Sequence, residues 1–136
     1  MRVFLDTNVI VAAVSTRGLC ADVLRETLAR HDLVGSEDLF IEIQRVLQDK
    51  LGVPAGIVNE VIALLRENAH VSEPGWAIDL PIKDRADQGL VSAAIEARAD
   101  LFVTGDRELL DLKSLEKTEI VSPRAFWERM RGTAGD

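Results

Sequence analysis

The sequence predicts an α/β fold with a mainly parallel sheet of four to five strands, and three observations favour it. Short apolar runs rich in β-branched and aromatic residues alternate along the chain with amphipathic segments of helical period. Strands separated by helices usually pair in parallel, because a parallel connection needs a crossover segment. The 136 residues, 47% of them hydrophobic, suit one domain with one core. We expect this domain to span residues 1–131 and residues 132–136 to form a frayed tail.

Five segments have the pattern of strands. Residues 3–5 are apolar, include a β-branched and an aromatic side chain, and end at Asp6. Residues 101–104 form the clearest strand and are closed by Gly105. The other three predicted strands are shorter or weaker, at residues 33–34, 69–71 and 119–121.

Six segments have the pattern of helices, and several begin with a recognisable signal. Ser36 is suited to cap one helix, Pro54 opens the next, and Pro123 occupies the first turn of the last helix. The earlier five helices are predicted over residues 22–30, 37–51, 54–67, 87–98 and 107–112. Residues 73–84, which contain two prolines and a glycine, are predicted to form a loop.

The composition limits the classes of function. The net charge of −7, from 16 basic and 23 acidic residues, argues against a protein that coats nucleic acid, which needs a basic surface. This charge is compatible with a nuclease, because acids gathered in a metal site add to the negative total. Cys20 is the only cysteine, which excludes an internal disulfide and a thiolate metal cluster. We expect it to be a small buried side chain at a helix start.

No sequence feature directs the chain to a membrane. No apolar run is long enough to cross a bilayer. The N-terminus reaches Asp6 after three apolar residues, which is too few for a secretory signal. We therefore expect a cytoplasmic protein.

Two acids follow predicted strands. Asp6 comes directly after the first strand, and Asp106 follows the strand at residues 101–104 after Gly105. Ligand sites of open parallel sheets form at the carboxyl ends of strands, so neighbouring strands would bring both acids to one crevice. The alternative is that each acid only caps a helix, one beginning near Thr7 and the other near Arg107.

Two further acids lie on predicted helices. Asp87 is roughly 60° around its helix from Leu90, in the middle of an apolar stripe. Burying a carboxylate there costs several kcal/mol unless a cation or metal pairs with it. Glu42 lies at a stripe edge, roughly 40° from Val46. Asp87 could instead act as a helix cap or helix-dipole partner, and Glu42 as a solvated acid.

A cluster of these four acids calls for a cation. Two carboxylates about 4 Å apart repel by roughly 4 kcal/mol at an effective dielectric constant of about 20. Only His31 and His70 could supply imidazole, so the oxygen-rich donor set favours Mg²⁺ or Mn²⁺ over zinc. The candidate metal ligands and catalytic residues are Asp6, Glu42, Asp87 and Asp106.

Four segments cover nearly the whole chain: VFLDTNVIVAAV, SEDLFIEIQRVL, KDRADQGLVSAAIEARADLFVTGD and IVSPRAFWERM. Together they resemble the PIN-domain family, in particular the VapC-like toxin components of toxin–antitoxin pairs. The resemblance implies a single nuclease domain with a three-layer α/β/α architecture. It also implies a metal-dependent ribonuclease that cuts an RNA phosphodiester with an activated water.

The resemblance extends to individual positions. The acidic set of the family matches the same four residues: Asp6, Glu42, Asp87 and Asp106. Asn8 and Thr104 match polar positions that support the site, and Asp84 could replace or assist Asp87.

The basic residues nearest these acids in sequence are candidates for steering the substrate, with solvated surface charge as the alternative. They are Lys83, Arg85 and Arg107. The resemblance implies an antitoxin that inserts a chain segment, with an arginine as one possibility, into the acidic crevice. It also implies a homodimer, for which the apolar helix predicted over residues 54–67 could supply the surface, although plain core packing explains it equally well.

Four other classes of protein share part of this pattern. A phosphatase of the haloacid dehalogenase class needs a second Asp two positions after the first, and position 8 is Asn. A nucleotide-binding module needs a Gly-rich turn after the first strand, and a receiver module needs a late lysine, and neither is clear here. A PIN fold that binds without cleaving remains open.

Overall fold

The computed structural model describes residues 1–72 and 79–134, and its centre is a six-stranded sheet. The strand order is β3-β2-β1-β4-β6-β5, with every pair parallel except β5 and β6. The strands are β1 (Arg2–Leu5), β2 (Asp32–Ser36), β3 (Ala69–Ser72), β4 (Leu101–Val103), β5 (Ser114–Leu115) and β6 (Thr118–Val121). The predicted α/β class is confirmed, as are all five predicted strands.

The strand number of four to five was wrong by one, because β5 was not predicted. It has only two residues and joins β6 through a tight antiparallel turn in which Glu116 has a φ of 54°. Turns of this type usually carry glycine, asparagine or aspartate, so a glutamate at this position conceals the hairpin.

The chain forms helices α1 (Thr7–Ser15), α2 (Leu19–Arg30), α3 (Glu37–Arg45), α4 (Ala55–Asn68), α5 (Arg85–Glu96), α6 (Arg107–Asp111) and α7 (Pro123–Ala134). The sequence offers a helix at α1 only as the alternative in which Asp6 caps a helix beginning near Thr7, and the structure contains this helix. The helix predicted over residues 37–51 is divided, because α3 passes into a π-helical turn at Val46–Lys50.

Two predicted boundaries also change. Helix α5 begins at Arg85, two residues before the predicted start, because Asp84 caps it. Helix α7 continues to Ala134, so the predicted domain end at residue 131 falls inside a helix. Residues 135–136 of the predicted tail, and residues 73–78 of the predicted loop, lie outside the described residues.

The central strands are buried on both faces. Val3, Phe4 and Leu5 of β1 are fully buried, and consecutive strand residues point to opposite faces. All three residues of β4 are buried in the same way. Near-continuous apolar strands of this kind occur where helices cover both sides of a parallel sheet, as the three-layer prediction requires.

The order of strands creates a switch point between β1 and β4. These strands pair in parallel, with Val3 opposite Leu101 and Leu5 opposite Val103. The rings of Phe4 and Phe102 stack across the pair, with centroids 5.2 Å apart. The chain continues to β2 on one side of β1 and reaches β4 on the other, so the crevice beyond their carboxyl ends is where this fold places a ligand site.

Close packing fixes the start of α3 against β2. A Cβ atom on Gly35 would lie 3.1 Å from Cζ of Phe40, so the ring occupies the space that a side chain would need. Arg66 of α4 lies over the same ring, with its Cζ atom 4.9 Å from the centroid, and forms an ion pair with Glu37. These contacts join β2, α3 and α4.

Helices α1 and α2 hold much of the N-terminal apolar sequence. No single helix among the described residues is long and apolar enough to cross a membrane, and α1 and α2 pass such a test only as a pair bent by 105°. Cys20, in the first turn of α2, is half-buried and packs against the core. Burial raises the pKa of its thiol, which suits a packing role more than a nucleophilic one.

Candidate active site

Asp6 lies at the carboxyl end of β1 and is held by two hydrogen bonds. Its Oδ1 accepts from the backbone N–H of Thr7 at 2.8 Å, and its Oδ2 accepts from Oγ1 of Thr104 at 2.8 Å. The side chain is only 5% exposed, and burial raises its pKa, with a smaller contribution from the charge of Asp106. Asp6 therefore both caps α1 and faces the crevice, so the two interpretations of this residue are compatible.

Thr104 connects the two acids that follow β1 and β4. Its fully buried hydroxyl donates to Asp6 and accepts from the backbone N–H of Asp106 at 3.0 Å. Asp106 in turn caps α6, since its Oδ1 accepts from the backbone N–H of Glu108 at 2.9 Å. The pairing of β1 with β4 thus brings Asp6 and Asp106 to the same crevice, as their positions in the sequence predicted.

Asp84 and Asp87 lie together at the start of α5. Oδ1 of Asp84 accepts from the backbone N–H of Asp87 at 3.0 Å, so Asp84 is the helix cap. Asp87 is half-buried, and its pKa is raised to about 6 by burial and then by the charges of four other acids, which are Asp84, Asp6, Asp106 and Glu42. Asp87 therefore lies among all the other acids of the crevice.

Glu42 reaches the same crevice from α3. Burial raises its pKa, followed by the charge of Asp6 and, more weakly, of Asp84, while the nearby Arg45 lowers it. The buried hydroxyl of Thr7 also lowers this pKa, although it makes no hydrogen bond of normal geometry with a described residue. Thr7 therefore lies close to Glu42 in the crevice.

The donor chemistry of this acid cluster suits a hard divalent cation, and an unsatisfied buried hydroxyl lies beside it. Within residues 1–72 and 79–134, however, no three acidic, histidine or cysteine side chains lie close enough to coordinate one ion as they stand. Carboxylates repel one another when no cation lies between them, so a spread arrangement is the expected one. The residues fit a metal by their chemistry and would have to move together to hold it.

The predicted supporting residue Asn8 and the three predicted steering residues lie on different parts of the surface. Asn8 is exposed on α1, and its side chain makes no hydrogen bond with a described residue. Arg85, the first residue of α5, lines a pocket together with Glu42. Lys83 lines a different pocket, with Glu108 and the end of α6. Arg107 is exposed at the start of α6.

Gln88 is a supporting residue that the sequence did not indicate. Its side-chain amide Nε2 donates to the backbone oxygens of Leu80 at 3.2 Å and Ile82 at 2.7 Å. These bonds tie the segment that leads into Asp84 to the helix that carries Asp87. A glutamine next to a candidate acid is the only signal in the sequence, and it gives no hint that the partners are backbone oxygens.

The fold is that of a known protein family. The family model of the PIN domain matches residues 2–108. The chain therefore belongs to the PIN-domain family. No curated protein matches it.

Two solved structures share the fold. VapBC2 from Rickettsia felis, bound to a DNA fragment from its promoter, is similar with a TM-score of 0.66 at 13% identity, over 90% of this chain and 98% of that one. VapBC-1 from nontypeable Haemophilus influenzae is similar with a TM-score of 0.57 at 21% identity, over 82% of this chain and 91% of that one. At these identities the similarity is one of fold.

Proposed function

We propose that this protein is an endoribonuclease that depends on Mg²⁺ or Mn²⁺ and cleaves an RNA phosphodiester. The observation that carries the proposal is the convergence of carboxylates at the switch point, where burial and four neighbouring acids raise the pKa of Asp87 to about 6. Acids that share a crevice in this way are suited to a bound cation, which would offset their repulsion. Membership of the PIN-domain family supports the same conclusion.

The cation would be held by Asp6, Glu42, Asp87 and Asp106, with Asp84 beside Asp87. Asp6 is the most firmly positioned of these, because Thr7 and Thr104 bind one oxygen each and leave lone pairs on both. When bound, the cation supplies Lewis-acid chemistry that promotes attack of water on the phosphodiester. The predicted steering residues Lys83, Arg85 and Arg107 would draw the RNA backbone towards this negative region.

Cleavage of a structured RNA in Mg²⁺ tests the proposal. We expect the wild type to cleave, and Asp6→Asn and Asp87→Asn to lose about two orders of magnitude or more in rate. Asp49→Asn, a matched change at an exposed acid of the π-helical turn, is expected to cleave as the wild type does. EDTA is expected to abolish cleavage.

Four outcomes would contradict this assignment. Cleavage by both active-site variants at the rate of the wild type would show that the active site lies elsewhere. Undiminished cleavage in EDTA would show that the reaction needs no metal. RNA binding with no cleavage would leave a PIN fold that acts only as a binding module. Hydrolysis of a phosphate monoester without RNA cleavage would favour a phosphatase.

We also propose that the nuclease is the toxin of a type II toxin–antitoxin pair and acts in the cytoplasm. The resemblance to VapC-like proteins and the fold shared with two VapBC structures support this role. A cognate antitoxin would present a cation, such as an arginine, to the acid cluster. Expression should arrest growth, and co-expression of a small neighbouring gene with a DNA-binding N-terminus should relieve the arrest. A wild type that cleaves RNA but never arrests growth would contradict the toxin role alone.

A homodimer is a further part of the proposal, because α4 is apolar on two sides. Val58 and Leu65 are buried, whereas Ile57 and Leu64, seven residues apart on the outer face, are 51% and 55% exposed. Exposed apolar residues at this spacing are typical of a contact surface. Sedimentation should show a dimer that the double change Ile57→Asp and Leu64→Asp converts to a monomer. A monomeric wild type would contradict it.

A further inference from the structure

Helices α3 and α5 enclose a pocket of about 240 Å³ beside the acid cluster. Its α3 wall is formed by one face of that helix, since Asp38, Ile41, Glu42 and Arg45 follow the spacing i, i+3, i+4 and i+7. The opposite wall comes from the first half of α5. Because Glu42 belongs to both the pocket and the acid cluster, a molecule in this pocket lies next to the candidate active site.

Two arginines line the pocket from its opposite walls. Arg45 belongs to α3 and Arg85 to α5, and both are exposed. Within the described part of the chain, neither guanidinium forms an ion pair, although four other arginines do. The carboxylates of Asp38 and Glu42 line the same pocket, and Arg45 lies near enough to Glu42 to lower its pKa. Because neither guanidinium is held in an ion pair with a described residue, both have donors available to a phosphate.

Apart from the two arginines and the carboxylates of Asp38 and Glu42, the residues that line the pocket are apolar. Ile41 is 61% exposed, more than any other large hydrophobic residue among those described, and Ala86 and Leu90 lie across from it. Gly89 leaves the wall open, since a Cβ there would meet nothing closer than Oδ2 of Asp38 at 3.9 Å. An apolar surface beside two cations is complementary to a nucleotide, which carries a flat base next to an anionic phosphate.

We infer that this pocket binds one unpaired nucleotide of the RNA adjacent to the bond that is cut. Arg45 and Arg85 contact its phosphate, and Ile41 contacts its base. The inference rests on the proposed ribonuclease function, for which it defines the substrate as RNA with an unpaired nucleotide at this position. The sequence did not predict a role for Arg45.

The size and composition of the pocket agree with a single nucleotide. Pockets that enclose a drug-sized ligand have volumes of about 300–1,000 Å³, so this one is too small for more than a fragment of an oligonucleotide. None of the described residues that line the pocket is aromatic. The base therefore packs on the apolar side chain of Ile41, and the two guanidinium groups are left for the phosphate.

Binding of an end-labelled single-stranded RNA by fluorescence anisotropy tests the inference without requiring cleavage. In an Asp6→Asn background, Arg45→Ala and Arg85→Ala should each raise Kd about tenfold. Each should also reduce the magnitude of the slope of log affinity against log salt by about 0.7. Arg25→Ala, which removes the same charge from α2 outside the pocket, should change neither quantity beyond a minor amount.

Gly89→Leu tests the pocket without changing any charge. The added side chain should fill the pocket, raise Kd for single-stranded RNA at least as much as either arginine variant, and leave the affinity for a fully double-stranded RNA unchanged. Since leucine favours a helix more than glycine does, a loss of folding is not expected, and a thermal melt checks this directly. Gly89→Ala should have a smaller effect in the same direction.

The outcomes separate this inference from the proposed function. If the wild type cleaves RNA and all three arginine variants bind alike, the pocket assignment is overturned and the nuclease stands. If no RNA is cleaved but the two pocket arginines alone weaken binding, the pocket assignment stands and the nuclease is overturned. Unchanged RNA affinity together with loss of an acidic protein partner in the Arg45 and Arg85 variants would also overturn the assignment.

Discussion

At the scale of single residues, the site depends on how each carboxylate is held. Asp6 is buried and accepts two hydrogen bonds, whereas Asp87 is half-buried among other acids and has a pKa of about 6. Asp6 and Asp106 could be predicted from the sequence because an acid directly after a strand has a defined position. Arg45 could not, because its role depends on a helix more than thirty residues away in the sequence.

The raised pKa of Asp87 predicts how stability depends on pH. Its folded-state pKa of about 6 lies above the ordinary value of 3.8, so the native state binds the proton more tightly. Its contribution to stability is therefore present at low pH and is lost as the pH rises through this window. In metal-free protein, Asp87→Asn should raise Tm at pH 7.5 and change it little at pH 4. Scanning calorimetry would show an error in this account if Tm fell at pH 7.5.

The buried hydroxyl of Thr104 should matter for both stability and activity. Thr104→Val keeps the shape but leaves Oδ2 of Asp6 and the N–H of Asp106 without their partner, at a cost of about 1–3 kcal/mol. Urea unfolding measures this loss. RNA cleavage should fall about 10- to 100-fold, as for other groups that orient metal ligands. Thr104→Ser retains the hydroxyl and should preserve most of the stability and most of the cleavage rate. Equal losses in the valine and serine variants would count against a role for the two hydrogen bonds of this hydroxyl.

At the scale of elements, the sequence predicts the strands and helices whose apolar residues follow a clear strand or helix pattern. Strands β1 and β4 have buried apolar runs, and α3 has a distinct apolar stripe. The cap at Asp6 is the only sequence signal for helix α1, because its residues are apolar on most sides and rich in β-branched side chains, which removes both the apolar stripe and the helix propensity. Its existence depends on Asp6, which caps it, and on packing against α2 and α3.

Gln88 should act on the site through the segment it ties to α5. Gln88→Met keeps the length but removes both hydrogen bonds to Leu80 and Ile82. We expect the Mg²⁺ concentration for half-maximal cleavage to rise about tenfold, with activity recovering at high Mg²⁺, because Asp84 and Asp87 lose their support. Gln44→Met, at an exposed position of α3, is the control. A lowered maximal rate at saturating Mg²⁺ with an unchanged half-maximal concentration would point instead to a different role.

Gly35 should be intolerant of even a methyl group. Gly35→Ala places a Cβ 3.1 Å from the ring of Phe40 and forces α3 to shift from β2, at a cost of about 1–3 kcal/mol. Gly56→Ala, on α4 with nothing within 4 Å, should instead stabilise by about 0.5–1 kcal/mol. Urea unfolding compares the two. If both glycines tolerate alanine equally, the packing of Phe40 on β2 is looser than described.

At the scale of the whole molecule, topology assembles the site. The acids come from the ends of β1 and β4, from α3 and from the start of α5, and the strand order brings them to one crevice. The sequence could predict the α/β class and the acids near strand ends. It could not predict the pocket between α3 and α5, since two helices separated by α4 and β3 give no joint signal.

Binding of a divalent cation in this crevice is the central claim about the protein. Isothermal titration of the metal-free protein with Mn²⁺ measures this binding without a substrate. We predict saturable binding by the wild type, displacement by Mg²⁺, and loss of binding in Asp6→Asn and Asp87→Asn but not in Asp49→Asn. Absence of saturable binding in the wild type, or binding that both active-site variants retain, would contradict it.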